Sequence, residues 1–159
     1  MPELIVESNG RLEKTAVYLN GEQLSGIKEL LVNMDEEGTF DALLVYNGGD
    51  GQLYTKSIFT DYLTAVKVTP PTFTEDDAQN LEQLVIQSEG DIEETLLLWN
   101  EEELGGVISL YIHIKAQEGD PKGIMDRIMG KKKPTFGVEC KAEITFRDED
   151  DSIYTETVF

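Results

Sequence analysis

The chain has 159 residues, of which 40% are hydrophobic and 28% are charged, and it contains a single cysteine. This composition is that of an ordinary globular protein, and one cysteine excludes an internal disulfide. No apolar run is long enough for a transmembrane helix, and the N-terminal residues lack the features of a secretion signal. We therefore expect a protein of a reducing compartment such as the bacterial cytoplasm, without membrane association.

The net charge is −19, which divides into −6 for residues 1–73 and −13 for residues 74–159. A field this negative opposes contact with nucleic acid or anionic lipid and favours cationic partners. Three interpretations remain open. In the first, the acidic residues only keep the protein soluble. In the second, the protein comes from a halophile, which the excess of lysine over arginine disfavours. In the third, the acidic residues bind a basic surface, including by mimicry of DNA.

The sequence repeats itself. Residues 4–34 align with residues 84–114 without a gap, and residues 42–59 later match residues 142–159 at a larger offset. The chain is therefore predicted to hold two copies of one unit, the second longer by about 20 residues. The residues identical at the offset of 80 are Leu4, Ser8, Gly10, Glu13, Thr15, Asn20, Glu22, Leu24, Gly26 and Leu30, and those identical at 100 are Ala42, Asp50, Tyr54, Thr55 and Phe59.

Both copies have the pattern of β-strands, because short runs of alternating apolar residues are separated by hairpin-turn residues such as Asn9-Gly10 and Asn20-Gly21. We predict a mainly β protein made of two tandem copies of a small five-stranded antiparallel β unit, arranged as two small sheets or one composite sandwich. The strands predicted in the first copy are residues 3–8, 11–19, 27–35, 40–46 and 52–59.

Between the copies, Thr74 and the three acidic residues after it predict the cap and first turn of a short helix that reaches about Leu84. The predicted organisation is a first β repeat at residues 1–69, a linker with this helix at 70–83, and a second β repeat at 84–159.

Residues 62–68 are predicted to form a sixth strand, and the chain ends at Phe159 with no counterpart of it. If that strand closes an edge in the first copy, the C-terminal edge strand of the second copy should be open. Open edges recruit strands, so we expect a homo-oligomer or a strand-exchanging partner there. The alternative is that residues 62–68 cover the second copy and leave a monomer.

The extra segment of the second copy, residues 119–137, is predicted to contain a short helix with an apolar stripe. It holds five of the 13 basic residues of the chain. Two interpretations stay open: the stripe packs on its own sheet, or the segment is an exposed loop that contacts a partner. Trp99 is likewise either a core residue or a partner-facing anchor. The candidate partner-binding residues are Ile124, Met125, Arg127, Met129, Lys131, Lys132, Lys133 and Trp99.

The residue types that carry catalysis or bind metal are not combined in a recognisable site. Strand alternation directs Cys140 to the core and His113 to the opposite face, which excludes a nucleophile and base within reach. The acidic turn at residues 148–151 is too short to wrap calcium and allows only weak cation binding. No spacing singles out two carboxylates for glycoside hydrolysis, and residues 47–51 lack the features of a phosphate loop. We expect no enzyme activity and no cofactor or metal.

Residues 17–30 contain a strand, a turn of the form N/D-G-x-x-L-x-G and the start of a second strand. The second copy keeps Asn100, Leu104 and Gly106 but has Glu101 at the position of the turn glycine. In this pattern, which covers about 30 residues of each copy, the chain resembles small duplicated β-domain proteins encoded by bacteriophages. The resemblance transfers no functional residue. It implies a phage or prophage protein that acts in the bacterial cytoplasm or in a virion.

The function expected from these observations is non-enzymatic binding of a protein partner, either in virion assembly or in binding a host factor. The alternative is an acidic inhibitor that mimics nucleic acid and occupies a basic site of a host or defence protein. We expect no direct binding of nucleic acid under either function. Salt distinguishes them, because a partner held mainly by charge is released as ionic strength rises.

Overall fold

The computed structural model describes residues 2–11, 14–89, 92–115 and 139–159. The protein is mainly β, as the sequence predicts. The N-terminal half forms β1 (Glu3–Ser8), β2 (Ala16–Leu19), β3 (Glu22–Ser25), β4 (Ile27–Asp35), β5 (Phe40–Asn47), β6 (Leu53–Ser57) and β7 (Lys67–Thr69). The C-terminal half forms β8 (Glu82–Gln87), β9 (Leu96–Trp99), β10 (Glu102–Glu103), β11 (Val107–Lys115), β12 (Glu139–Arg147) and β13 (Ile153–Thr157).

The strands form two antiparallel sheets, and each sheet contains strands from both halves. Sheet A has the order β10-β9-β8-β1-β2-β3-β7, and sheet B has the order β13-β12-β11-β4-β5-β6. The halves meet at the centre of each sheet, where β1 pairs with β8 and β4 pairs with β11. The chain is therefore one composite sandwich in which neither half has a sheet of its own.

The core lies between the sheets and is continuous across both halves. On β1 and β8, period-two alternation sends Leu4, Val6, Leu84 and Ile86 inward, and all four side chains are fully buried. β4 and β11 supply the facing layer in the same way. Its fully buried side chains include Leu30, Val32, Met34, Leu110 and Ile112.

Hydrogen bonds and ring contacts recur between the halves at the two sequence offsets. The Asn20 side chain accepts from the Glu3 amide at 2.9 Å, and Asn100 accepts from Gln83 at 2.8 Å. Other matching contacts are the hydroxyl pairs Ser8–Thr15 and Ser88–Thr95, the backbone hydrogen bonds Asn47–Gly26 and Arg147–Gly106, and the stacked rings Tyr46–Tyr54 and Phe146–Tyr154. The local structure of each half is thus built on the same turn and ladder contacts.

Within the described residues the N-terminal half contributes seven strands and the C-terminal half six, and not five each as predicted. In the N-terminal half the predicted strand at residues 11–19 is shorter, a separate strand, β3, follows it, and β7 is added. Glu22–Ser25 is short and carries no clear alternation, so its strand character depends on its neighbours β2 and β7.

The predicted linker helix is wrong in extent. α1 (Glu75–Ala78) is a single turn, and the residues expected to continue it enter strand β8. Thr74 does cap that turn, since its hydroxyl accepts from the Asp77 amide at 3.1 Å. Strand β8 begins at Glu82 because pairing with β1 satisfies a longer run of backbone groups than one more helical turn. The predicted helical insertion at residues 119–137 lies outside the described residues.

Candidate functional site

The edge of sheet A in the N-terminal half is covered by residues 63–72, called here the covering segment. Its strand β7 pairs with β3, with Val68 opposite Leu24. Two backbone carbonyls before the strand are also held: Thr64 accepts from the Tyr46 hydroxyl at 2.7 Å, and Ala65 accepts from the Gly49 amide at 2.8 Å. The predicted sixth strand at residues 62–68 is thus real only in part, as Lys67–Thr69, and it pairs with β3.

The end of the covering segment is fastened by Gln23. The Gln23 side-chain Nε2 donates to the Thr72 hydroxyl, and the Thr72 backbone amide donates to the Gln23 side-chain oxygen Oε1, both at 2.8 Å. As a result Gln23 is 8% exposed and Leu24 is 6% exposed. Burial of both residues on an edge strand depends on this segment.

The equivalent edge in the C-terminal half is β10, and within the described parts of the chain no strand pairs with its outer side. Leu104 donates its backbone amide to Leu97 of β9. In an antiparallel ladder this directs the N–H and C=O of the neighbouring Glu103 away from β9. Glu103 is exposed and Leu104 is half-buried, whereas their counterparts Gln23 and Leu24 are buried.

Chemically, the β10 edge is more acidic than its covered counterpart. Glu103 stands where the N-terminal half has Gln23, and Glu149 stands where it has Gly49. Phe146 replaces Tyr46, so the hydroxyl that holds the covering segment is missing there. The exposed residues of this edge and of the adjacent turn are Glu101, Glu102, Glu103, Asp148, Glu149, Asp150 and Asp151.

The arginine that directly precedes the acidic turn in the chain is already engaged. Arg147 makes a bidentate ion pair with Glu36, with nitrogen–oxygen distances of 2.7 and 3.0 Å. The hydrogen bonds that Arg147 donates to this carboxylate, followed by the charge of Glu36, raise the pKa of Arg147 above its usual value. Arg147 is therefore tied mainly to the β4–β5 turn through Glu36, and the charge of Asp151 in the acidic turn contributes less to the raised pKa.

Among the predicted partner-binding residues, Trp99 lies one strand in from the open edge. It is opposite Glu102 of β10, packs against the core and donates its indole N–H to Glu82 at 3.2 Å. Its packing against the core agrees with the first interpretation, and its role in binding a partner stays a prediction. The other candidates, Ile124, Met125, Arg127, Met129, Lys131, Lys132 and Lys133, lie outside the described residues.

His113 and Cys140 lie on neighbouring strands but on opposite faces of sheet B. His113 is opposite Lys141, and Cys140 is opposite the core residue Ile114. The Cys140 sulfur lies 3.3 Å from the hydroxyls of Ser8 and Thr15, on the core side. His113 contacts Glu29 on the outer face, at 2.6 Å between Nε2 and Oε2. The His113–Glu29 contact joins β11 to β4, and the imidazole does not reach the Cys140 thiol.

The clustered carboxylates of the described surface do not form a metal site. No group of three or more metal-ligand side chains is arranged to hold an ion in the parts of the chain that the structure describes. Asp150 accepts from the Ser152 amide at 3.0 Å, and this hydrogen bond lowers the pKa of Asp150. An open cleft of about 780 Å³ between the start of β8 and the β9–β10 turn is lined by the acids Glu7, Glu82 and Glu101 together with amide side chains, a lining that suits cations and not phosphates.

None of the helices in the described ranges is long and apolar enough to cross a membrane. No protein-family model matches the chain, and no curated protein or solved structure is significantly similar to it.

Sequence reasoning predicted a strand at residues 62–68, but it missed the full extent of the covering segment and the role of Gln23. The substitution of Gln23 by Glu103 between the two copies was visible in the alignment. Its meaning depends on Thr72, which lies 49 positions from Gln23 and has no pattern that marks it as a partner.

Proposed function

We propose that this protein is a non-enzymatic β protein that works by binding another protein, and that the open edge at β10 is the surface it uses. One observation carries the proposal: the same edge is covered in one half and bare in the other within the described residues. A strand edge with unpaired backbone groups gives affinity through main-chain hydrogen bonds to an added strand. The setting proposed from the phage resemblance is virion assembly or the binding of a host factor.

The test is affinity capture from the bacterial host with the wild type and a Glu103→Pro variant. Proline removes the outward N–H of Glu103 without removing a hydrogen bond to β9, so the fold is kept while the edge is blocked. We expect a partner that the wild type captures at low salt, that main-chain hydrogen bonds still hold in part at high salt, and that the variant loses at both. A Glu22→Ala variant, changed at an exposed position of the covered edge, should behave as the wild type.

The second candidate, an acidic mimic of nucleic acid, is favoured by the net charge of −19. It predicts a different outcome in the same experiment. The partner would be basic, would be released steeply as salt rises, and would bind the Glu103→Pro variant as well as the wild type. A partner with these three properties would replace the edge-binding proposal.

We also infer that the two halves are copies of one structural unit. Support comes from the recurring contacts and from two glycines with positive φ, Gly26 at 76° and Gly106 at 73°. A Cβ at either position would lie 2.9 Å from a backbone oxygen, that of Asn47 or that of Arg147. Alanine at each position should therefore reduce the free energy of unfolding by a similar amount, about 1 kcal/mol or more. A large cost at one position and none at the other would contradict the inference.

A further inference from the structure

We infer that the occupant of the β10 edge is an extended, cationic peptide segment of a partner protein, seated as residues 63–72 are seated on β3. The inference rests on the proposed function and specifies its partner. The covering segment supplies a template for the occupant, because β3 and β10 are equivalent and both pair on one side with the preceding strand. The occupant would run antiparallel to β10 and pair with the outward N–H and C=O of Glu103.

The first cationic position of the occupant follows from Lys67. In the N-terminal half the Lys67 side chain crosses Gly49, where its Cγ would lie 3.7 Å from an added Cβ. The C-terminal half has Glu149 at the position of Gly49. A lysine or arginine seated like Lys67 would therefore lie against a carboxylate, an opposite-charge contact that the covered edge lacks.

The second cationic position follows from Thr72. Gln23 both donates to and accepts from Thr72. Glu103, in the place of Gln23, is an acceptor only when ionised, so it favours a residue that offers donors. Arginine provides several donors and a positive charge, which makes it the best match for this position. The two differences between the halves, Glu149 in place of Gly49 and Glu103 in place of Gln23, thus both favour a cationic occupant.

The occupant also needs an apolar residue. Leu63 at the start of the covering segment is 9% exposed, and it helps to close the core of the N-terminal half. In the C-terminal half, Tyr154 remains 44% exposed and Leu104 is half-buried. An apolar side chain before the strand of the occupant would cover this surface. The predicted pattern is an apolar residue, then a cation about four positions later, then an arginine about five positions after that.

The probe is a synthetic peptide with the sequence of residues 63–72 and the change Thr72→Arg. The matched control peptide carries Lys67→Glu and Thr72→Glu. Both are titrated into the full-length protein at low salt, while backbone amide shifts are recorded by NMR. We expect the cationic peptide to shift the Glu103 amide and its strand neighbours, to leave the covered Gln23 amide unchanged, and to bind at least about tenfold more tightly than the control.

A Glu103→Gln, Glu149→Gln double variant keeps the shape of the edge and removes both charges. We expect it to reduce the preference for the cationic peptide to less than about threefold. Equal binding of the two peptides, shifts that map elsewhere, or a Glu103 amide already protected from exchange in the free protein would overturn the inference.

These failures are distinct from failure of the proposed function. If native capture depends on the Glu103 amide but the peptides show no charge preference, the edge binds a partner of other chemistry and this inference alone is wrong. If the Glu103→Pro variant captures every partner of the wild type, edge binding itself is wrong.

Discussion

Gln23 and Thr72 hold each other by two hydrogen bonds of 2.8 Å, and the equivalent of Gln23 in the other half, Glu103, is exposed to solvent. This contact closes one edge of a sheet whose other edge stays bare in the described structure. This asymmetry between the two edges is the basis for the predictions about stability and binding.

Gln23→Ala should lower the free energy of unfolding by about 1–2 kcal/mol, because it removes both hydrogen bonds and leaves the Thr72 amide without its acceptor. Glu103→Ala at the equivalent position should change stability by less than about 0.5 kcal/mol, since Glu103 is exposed. Urea denaturation of the two variants beside the wild type measures the difference. Equal costs would show that the covering segment does not depend on Gln23.

The Asp50–Tyr54 hydrogen bond predicts a pH dependence at both ends of the pH range. Bonding from the Tyr54 hydroxyl, then from the Gln52 amide, lowers the pKa of Asp50, and the same bond raises the pKa of Tyr54. The stabilisation is present above the unfolded pKa of Asp, about 3.9, and is lost as pH falls through the folded pKa of Asp50. It is also lost as pH rises through the folded pKa of Tyr54.

NMR titration of the Asp50 carboxyl tests this. In a Tyr54→Phe variant we expect the pKa of Asp50 to rise toward its ordinary value. The matched control is Tyr154→Phe, which should leave the pKa of Asp150 lowered, because Ser152 and not Tyr154 supplies the hydrogen bonds there. An unchanged Asp50 pKa in Tyr54→Phe would mean that the tyrosine bond does not form in solution.

Self-association through the C-terminal strand is a separate prediction. β13 is an edge strand of sheet B, and all five of its residues are exposed. Val158 donates its backbone amide to Ala142, so alternation directs the N–H of Thr155 away from β12. Thr155→Pro should therefore block an added strand without breaking the ladder. Light scattering should give an oligomeric mass for the wild type and a smaller one for the variant, and a monomeric mass for both would rule this out.

Residues 119–137 are predicted to be dispensable for folding but required for partner binding. The equivalent connection in the N-terminal half, between β4 and β5, needs only residues 36–39. Replacing 119–137 with Glu-Glu-Gly-Thr should shift the thermal midpoint little while weakening capture of the partner. A large fall in the midpoint would show that Ile124, Met125, Ile128 and Met129 belong to the core, and full binding would remove them from the interaction surface.

The sequence by itself predicted the β class and most of the strands, because alternation and turn chemistry are local. Leu30, Val32 and Met34 occupy every second position, with Glu29 and Asn33 among the alternate positions, and this period of two suffices to predict β4 and its buried face. The turn residues were equally readable: Asn20 and Asn100 both adopt positive φ, at 52° and 53°. The repeated spacing also indicated which positions of the two halves would have matching contacts.

Only the tertiary structure decided how the strands of one half pair with those of the other. β1 joins β8 and β4 joins β11 because these pairings place the apolar faces of both halves over one core, a non-local effect that no single strand encodes. Pairing within these sheets also limits α1 to one turn, because β8 begins soon after it, and makes Glu22–Ser25 a strand between its neighbours. The candidate site also depends on tertiary structure. Gln23 meets Thr72, 49 positions away in the chain, and its edge is covered. Among the described residues no strand pairs with the outer side of Glu103, and its edge is open.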